Sequence, residues 1–179
     1  MHRCVLITAL LSAVASTATA QRDSTISPAG LGGVRICAPL ATVASRFPSA
    51  RDTIIESEGE QWPAKLVRLG DGSRILFEAS WADTSHVWRI TTDSHHYRTR
   101  RGWRPGNTLG ELRSKGERLE FGYEEGYIVI ALVSDQVSFT PDDSTASAFL
   151  GRSPRAFDSL QVLPRTARIQ DLIVGGDCR

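Results

Sequence analysis

The chain has 179 residues, 21 basic and 20 acidic side chains, a formal net charge of +1 and 41% hydrophobic residues. That charge balance excludes a dedicated nucleic-acid binder, which would carry a marked basic excess. The length fits one domain of ordinary size with a sizeable core.

The chain opens "MHRCVLITALLSAVASTATAQ". Arg3 leads into an apolar run from Val5 to Ala15, and Ala18-Thr19-Ala20 satisfies the A-x-A rule, so residues 1–20 read as a secretory signal peptide cleaved after Ala20. The run is too short for a permanent bilayer span. No cysteine follows the small residues, so no lipid anchor is expected there, and no later segment has the character of a membrane span. The expected product is periplasmic or secreted. Cleavage removes Cys4 and leaves Cys37 and Cys178. In an oxidising compartment such a pair reads as a disulfide; a metal or redox pair would favour close spacing or a CxxC.

Residues 21–31, polar and small, read as a flexible leader, and residues 32–179 as a single domain. Within it "GVRICAPLATV" from Gly33 and "GWRPGNTLGEL" from Gly102 align. Gly33 meets Gly102, Arg35 meets Arg104, Leu40 meets Leu109, Val34 meets Trp103 and Val43 meets Leu112. This suggests an internal duplication of a helix-plus-hairpin unit, with repeats at 33–93 and 102–140. Thr108 and Glu111 have the spacing of a capping box that starts a short helix. In the first copy Pro39 stands at the equivalent helix start.

The remainder reads mainly as strands: 53–57, 64–69, 74–80, 86–91, 118–123, 127–133, 136–140 and 167–174. Asp71-Gly72 and Glu125-Gly126 mark hairpin turns. The run from Ile128 to Val133 is expected to be buried on both faces. Pro141 to Ser147 reads as a polar insertion with turn chemistry at Asp142-Asp143, and 153–160 as a short helix. The fold class is therefore α+β, a largely antiparallel sheet with two or three short helices on one face.

Four stretches carry a family likeness: Leu31-Gly32-Gly33, "VWRITTDS" from Val87, the G-x-T-L-x-E-L pattern of Gly106 to Leu112, and Ala167-Arg168-Ile169. In these the chain resembles the sigma-E-regulated periplasmic lipoprotein family, a domain of unknown function, though it has no lipobox. The resemblance implies an envelope location and this fold, and no activity. The repeat pattern is also similar to small envelope-assembly proteins and β-lactamase-inhibitor-like modules, an analogy of fold.

The sequence holds no G-x-S-x-G, H-E-x-x-H or P-loop pattern. His95 and His96 point to opposite faces of an extended strand, and with His86 and Asp93 they read as surface residues rather than metal ligands. Glu56, Glu58 and Glu60 would share one side of an extended segment, either as a charged edge strand or as acid–base carboxylates. The notable cluster is Tyr97, Arg98, Arg100, Arg101, Trp103 and Arg104. Arginine forks and aromatic rings can bind an anionic envelope component or an acidic protein partner; alternatively the segment is a structural elbow with Trp103 packed inward. No cofactor and no metal is expected. The leading expectation is a non-enzymatic binding protein; the alternatives are an envelope-polymer hydrolase using Glu56 or Glu58, and an inhibitor of a foreign hydrolase.

Overall fold

The computed structural model describes residues 24–57, 59–124, 127–150 and 163–178. The expected signal peptide, the expected Glu125-Gly126 turn and the helix expected at 153–160 lie outside them. Three two-residue strands, β1 (Ile26–Ser27), β2 (Gly30–Leu31) and β3 (Val34–Arg35), form a small antiparallel sheet. Helix α1 (Thr42–Arg46) leads into β4 (Arg51–Ser57), β5 (Glu60–Arg68), β6 (Arg74–Glu78) and β7 (Arg89–Thr92). Helix α2 (Leu109–Ser114) leads into β8 (Leu119–Glu124), β9 (Tyr127–Leu132) and β10 (Val137–Pro141); α3 (Asp143–Leu150) intervenes before β11 (Ile169–Gly175). The eight longer strands make one antiparallel sheet in the order β4-β5-β6-β7-β11-β10-β9-β8.

The α+β class and the antiparallel sheet agree with the sequence reading. Three local readings do not. Ordered structure starts before residue 32: Ile26 is completely buried, and its N–H donates to the Arg98 carbonyl at 2.9 Å. A polar, small composition hid one well-placed isoleucine. The segment read as a polar insertion contains α3, because the Asp142 carboxylate caps it by accepting from Thr145 N at 3.0 Å. Turn chemistry and N-cap chemistry use the same side-chain acceptor. Strand β9 is not buried on both faces: Ile128, Ile130 and Leu132 are buried while Val129 and Ala131 are half-exposed.

The two helix-and-strand units repeat each other in their hydrogen bonds. Leu40 N–H donates to Ser85 O at 2.8 Å, and Leu109 N–H to Ala167 O at 2.9 Å. Cys37 donates to Val87 O, and Gly106 to Ile169 O, both at 2.8 Å. Val87 donates to Ala38 O, and Ile169 to Asn107 O, again both at 2.8 Å. The pairs Cys37/Gly106, Ala38/Asn107 and Leu40/Leu109 keep the spacing of Gly33/Gly102. Both members of each pair Gly33/Gly102 and Cys37/Gly106 have positive φ, at 83° and 91° and at 65° and 93°. Val34, Leu40 and Val43 are buried, as are Trp103, Leu109 and Leu112. The last strands of the two units, β7 and β11, pair with each other.

The core lies between the sheet and the segments that carry α1, α2 and the small sheet. Period-two alternation aims Val67, Ile75, Phe77, Ile90, Leu172, Val174, Phe139 and Ile130 at it. Phe47, just after α1, meets Phe77 with ring centroids 5.4 Å apart. Helix α2 is started by a complete capping box: Glu111 N donates to Thr108 Oγ1 at 3.2 Å, and Thr108 N to Glu111 Oε2 at 2.6 Å. Thr108→Ala is expected to cost about 1 kcal/mol, read from chemical denaturation; an unchanged midpoint would mean that packing alone holds the helix.

Candidate functional site

The arginine-rich segment is an elbow made of two turns. Gly102 N–H donates to Thr99 O at 2.9 Å and Thr99 N–H to Trp103 O at 2.8 Å, which places Arg100 and Arg101 at an exposed tip. Arg104 N–H donates to Asn107 Oδ1 at 3.0 Å in the second turn. Tyr97 and Trp103 point inward and are buried. Trp103 Nε1–H and Arg101 Nε–H both donate to Glu117 Oε1, at 2.9 and 2.7 Å, and Ser134 Oγ donates to Glu117 Oε2 at 2.6 Å. Burial pushes the Glu117 carboxyl upward, but the Ser134 and Trp103 hydrogen bonds and the Arg101 charge outweigh it and hold the group below its ordinary value. Arg101 is therefore tied to the structure. Arg98, Arg100 and Arg104 are exposed and make no ion pair among the described residues.

The other sequence candidates do not converge. Ser57 pairs with Glu60 across a hairpin, so Glu56 and Glu60 are on different strands and not on one extended segment. Glu56 accepts from Gln61 Nε2 at 3.1 Å on the edge strand β4; Glu58 lies outside the described residues. His95 is 2.6 Å from Pro105 O, His96 is 3.4 Å from Asp71, and His86 is 2.7 Å from Asp83. Among the described residues, no three His, Cys, Asp or Glu side chains are placed to hold a metal ion.

What the structure does bring together are three of the four tryptophans. Trp62, Trp81 and Trp88 line a cavity of about 640 Å³ with Asp83, His86 and Asp177. The register explains the placement. Ala64 lies opposite Glu78, and Glu78 opposite Arg89. These residues face away from the helices, and Trp62, two residues from Ala64, shares their face. Trp62 is buried there, and its indole Nε1–H has no acceptor among the described residues. Glu78 is buried and takes a bidentate pair from Arg89, at 2.9 and 2.7 Å, and the guanidinium lies 5.0 Å from the Trp88 ring centroid. The cation thus braces Trp88 from one side.

The connection from β6 to β7 supplies the exposed wall. Asp83 organises it: Oδ1 accepts from Ser85 N and Oγ at 2.9 and 2.6 Å, and Oδ2 meets His86 Nδ1 at 2.7 Å. These bonds, the Ser85 hydroxyl first, bring the Asp83 carboxyl down to about 2. The far wall is the C-terminal segment. Gly176 N–H donates to Trp88 O at 3.1 Å, and Cys178 is joined to Cys37 by a disulfide with a Cα–Cα distance of 5.3 Å. Cys178 itself lines the cavity, so the staple expected from the sequence is also one of its walls.

Acid should loosen this arrangement. Asp83 and Asp142 both lie near 2 in the folded chain against an ordinary 3.8, Asp142 because its Ser144, Arg168 and Thr145 hydrogen bonds outweigh burial. A depressed carboxyl contributes stability above its unfolded value and loses it as pH falls through the folded one. Thermal melts should therefore fall between pH 3.8 and about 2, and Asp142→Asn should flatten that slope; an unaltered slope would mean that the Asp142 carboxylate is not stabilising.

Sequence reading missed this site because its tryptophans are divided between β5 and the β6–β7 connection and fit no motif. The available signal was Trp81 itself, a large aromatic in the polar stretch Ser80–Ser85 where no core strand could bury it. No protein-family model and no curated protein matches the chain. Among the described residues no helix is long and apolar enough to cross a membrane. Among solved structures the chain is similar to the crystal structure of the uncharacterized protein yfeY from Escherichia coli, at 15% identity and a TM-score of 0.62, over 85% of this chain and 99% of that one. At that identity the likeness establishes a shared fold.

Proposed function

We propose that the protein is a non-enzymatic binding protein of the periplasm or the extracellular space, and that it holds an envelope component in the tryptophan-lined cavity beside the Cys37–Cys178 disulfide. The observation that carries this reading is Trp81. It is 72% exposed while lining a cavity shared with two other tryptophans. Leaving so large an aromatic surface in water is unfavourable for folding and favourable for recognition. The disulfide fits an oxidising compartment, and the likeness in sequence to the sigma-E-regulated periplasmic lipoprotein family supports an envelope location. Trp81→Ala should leave the melting temperature within the range of a neutral surface change and lower binding to envelope extract at least tenfold. Full binding by this variant would remove the cavity from consideration.

A second reading rests on Arg98, Arg100 and Arg104, which are exposed without an ion pair among the described residues. An anionic partner held there would dissociate as salt rises, since exposed charges are screened beyond about 8 Å at physiological ionic strength.

A further inference from the structure

Building on that reading of the cavity, we infer that its ligand is a glycan, bound with pyranose faces on the tryptophans and hydroxyl edges on the polar rim. The cavity joins two chemistries. Tryptophan rings offer flat apolar surfaces with an electron-rich face. Ser80, Asp83, His86 and Asp177 line the same space and offer hydroxyl, carboxylate and imidazole partners. A ligand that satisfies both must be flat and C–H-lined on one side and rich in hydroxyls at its edge, which describes a sugar ring.

Other ligand classes fit less well. An anion finds no lysine or arginine among the lining residues. The neighbouring Arg89 is held by both oxygens of the buried Glu78. An anion would also meet the ionised Asp83 carboxylate, which lines the cavity. A lipid tail would bring Asp83 and Asp177, which line the same cavity, out of water without a partner for their charge. A quaternary ammonium is best held in a desolvated aromatic box, whereas Trp81 is a shelf with 72% of its surface in water. An open shelf suits a chain that continues beyond the bound ring. The volume, about 640 Å³, suits a ligand of one to a few sugar rings.

The test uses the chain from residue 21 onward with its disulfide intact. The probes are the β-1,4-linked tetramers of N-acetylglucosamine and of glucose, tetramethylammonium chloride, and an envelope extract. Binding is read by tryptophan fluorescence and calorimetry, for wild type, Trp81→Phe and Trp81→Ala, with circular dichroism to confirm folding. The expected result is that at least one tetrasaccharide binds, with affinity falling in the order Trp, Phe, Ala and by tenfold or more at alanine. Tetrasaccharide binding that Trp81→Ala does not weaken would overturn the inference. So would the absence of tetrasaccharide binding alongside Trp81-dependent binding of tetramethylammonium or of extract, an outcome that leaves the cavity a binding site for another class. If no probe binds in a Trp81-dependent way, the glycan inference and the proposed function both fail.

Discussion

Breaking the Cys37–Cys178 bond is expected to lower folding stability by about 4–5 kcal/mol. The two cysteines are 141 residues apart, so the bond closes nearly the whole described chain into one loop and removes much of the freedom of the unfolded state. It also holds the C-terminal segment against the β6–β7 connection. Cys37 itself stands at φ 65°, and Gly106, which makes the matching backbone hydrogen bond, at 93°. A non-glycine residue in that region is strained and persists only when its surroundings hold it there. Urea denaturation of the oxidised protein against the Cys37→Ser/Cys178→Ser variant measures the loss. A difference below about 1 kcal/mol would show that strain in the native state offsets the loop-closure effect.

Trp103→Ala should cost about 3–5 kcal/mol, the range for truncating a large core aromatic. The ring is buried in the angle of the elbow, and its Nε1–H is one of three donors on Glu117, whose side chain is only 2% exposed. Truncation would open a cavity and remove one of the hydrogen bonds that keep a buried carboxylate ionised. Changing Arg98 and Arg100 to glutamine should alter stability by no more than about 0.5 kcal/mol each. Denaturation midpoints of these variants compare the inward and outward sides of one segment. A Trp103→Ala protein as stable as wild type would place the ring outside the core and return the segment to consideration as a stacking surface.

The elements that local chemistry dictates were legible in the sequence. Alternating strands such as Arg74–Glu78, the Asp71-Gly72 connection and the Thr108–Glu111 capping box each depend on neighbours a few residues away. Gly33 and Gly102 both take positive φ, a conformation that favours glycine at each position. Strand β1 was not legible, since the burial of Ile26 depends on Arg98, far along the chain. The cavity was not legible for the same reason. Trp62 is brought to Trp88 by the β5–β6–β7 register and Asp177 by the disulfide, and no local pattern encodes either.

Binding at the tryptophan-lined cavity would shield the β6–β7 connection and the C-terminal segment, which form its walls. Hydrogen–deuterium exchange, with and without a saturating ligand, tests it most directly. Added protection is expected at backbone amides 80–88 and 176–178, with 97–104 unchanged. Protection confined to 97–104 would contradict it and place the ligand on the arginine edge.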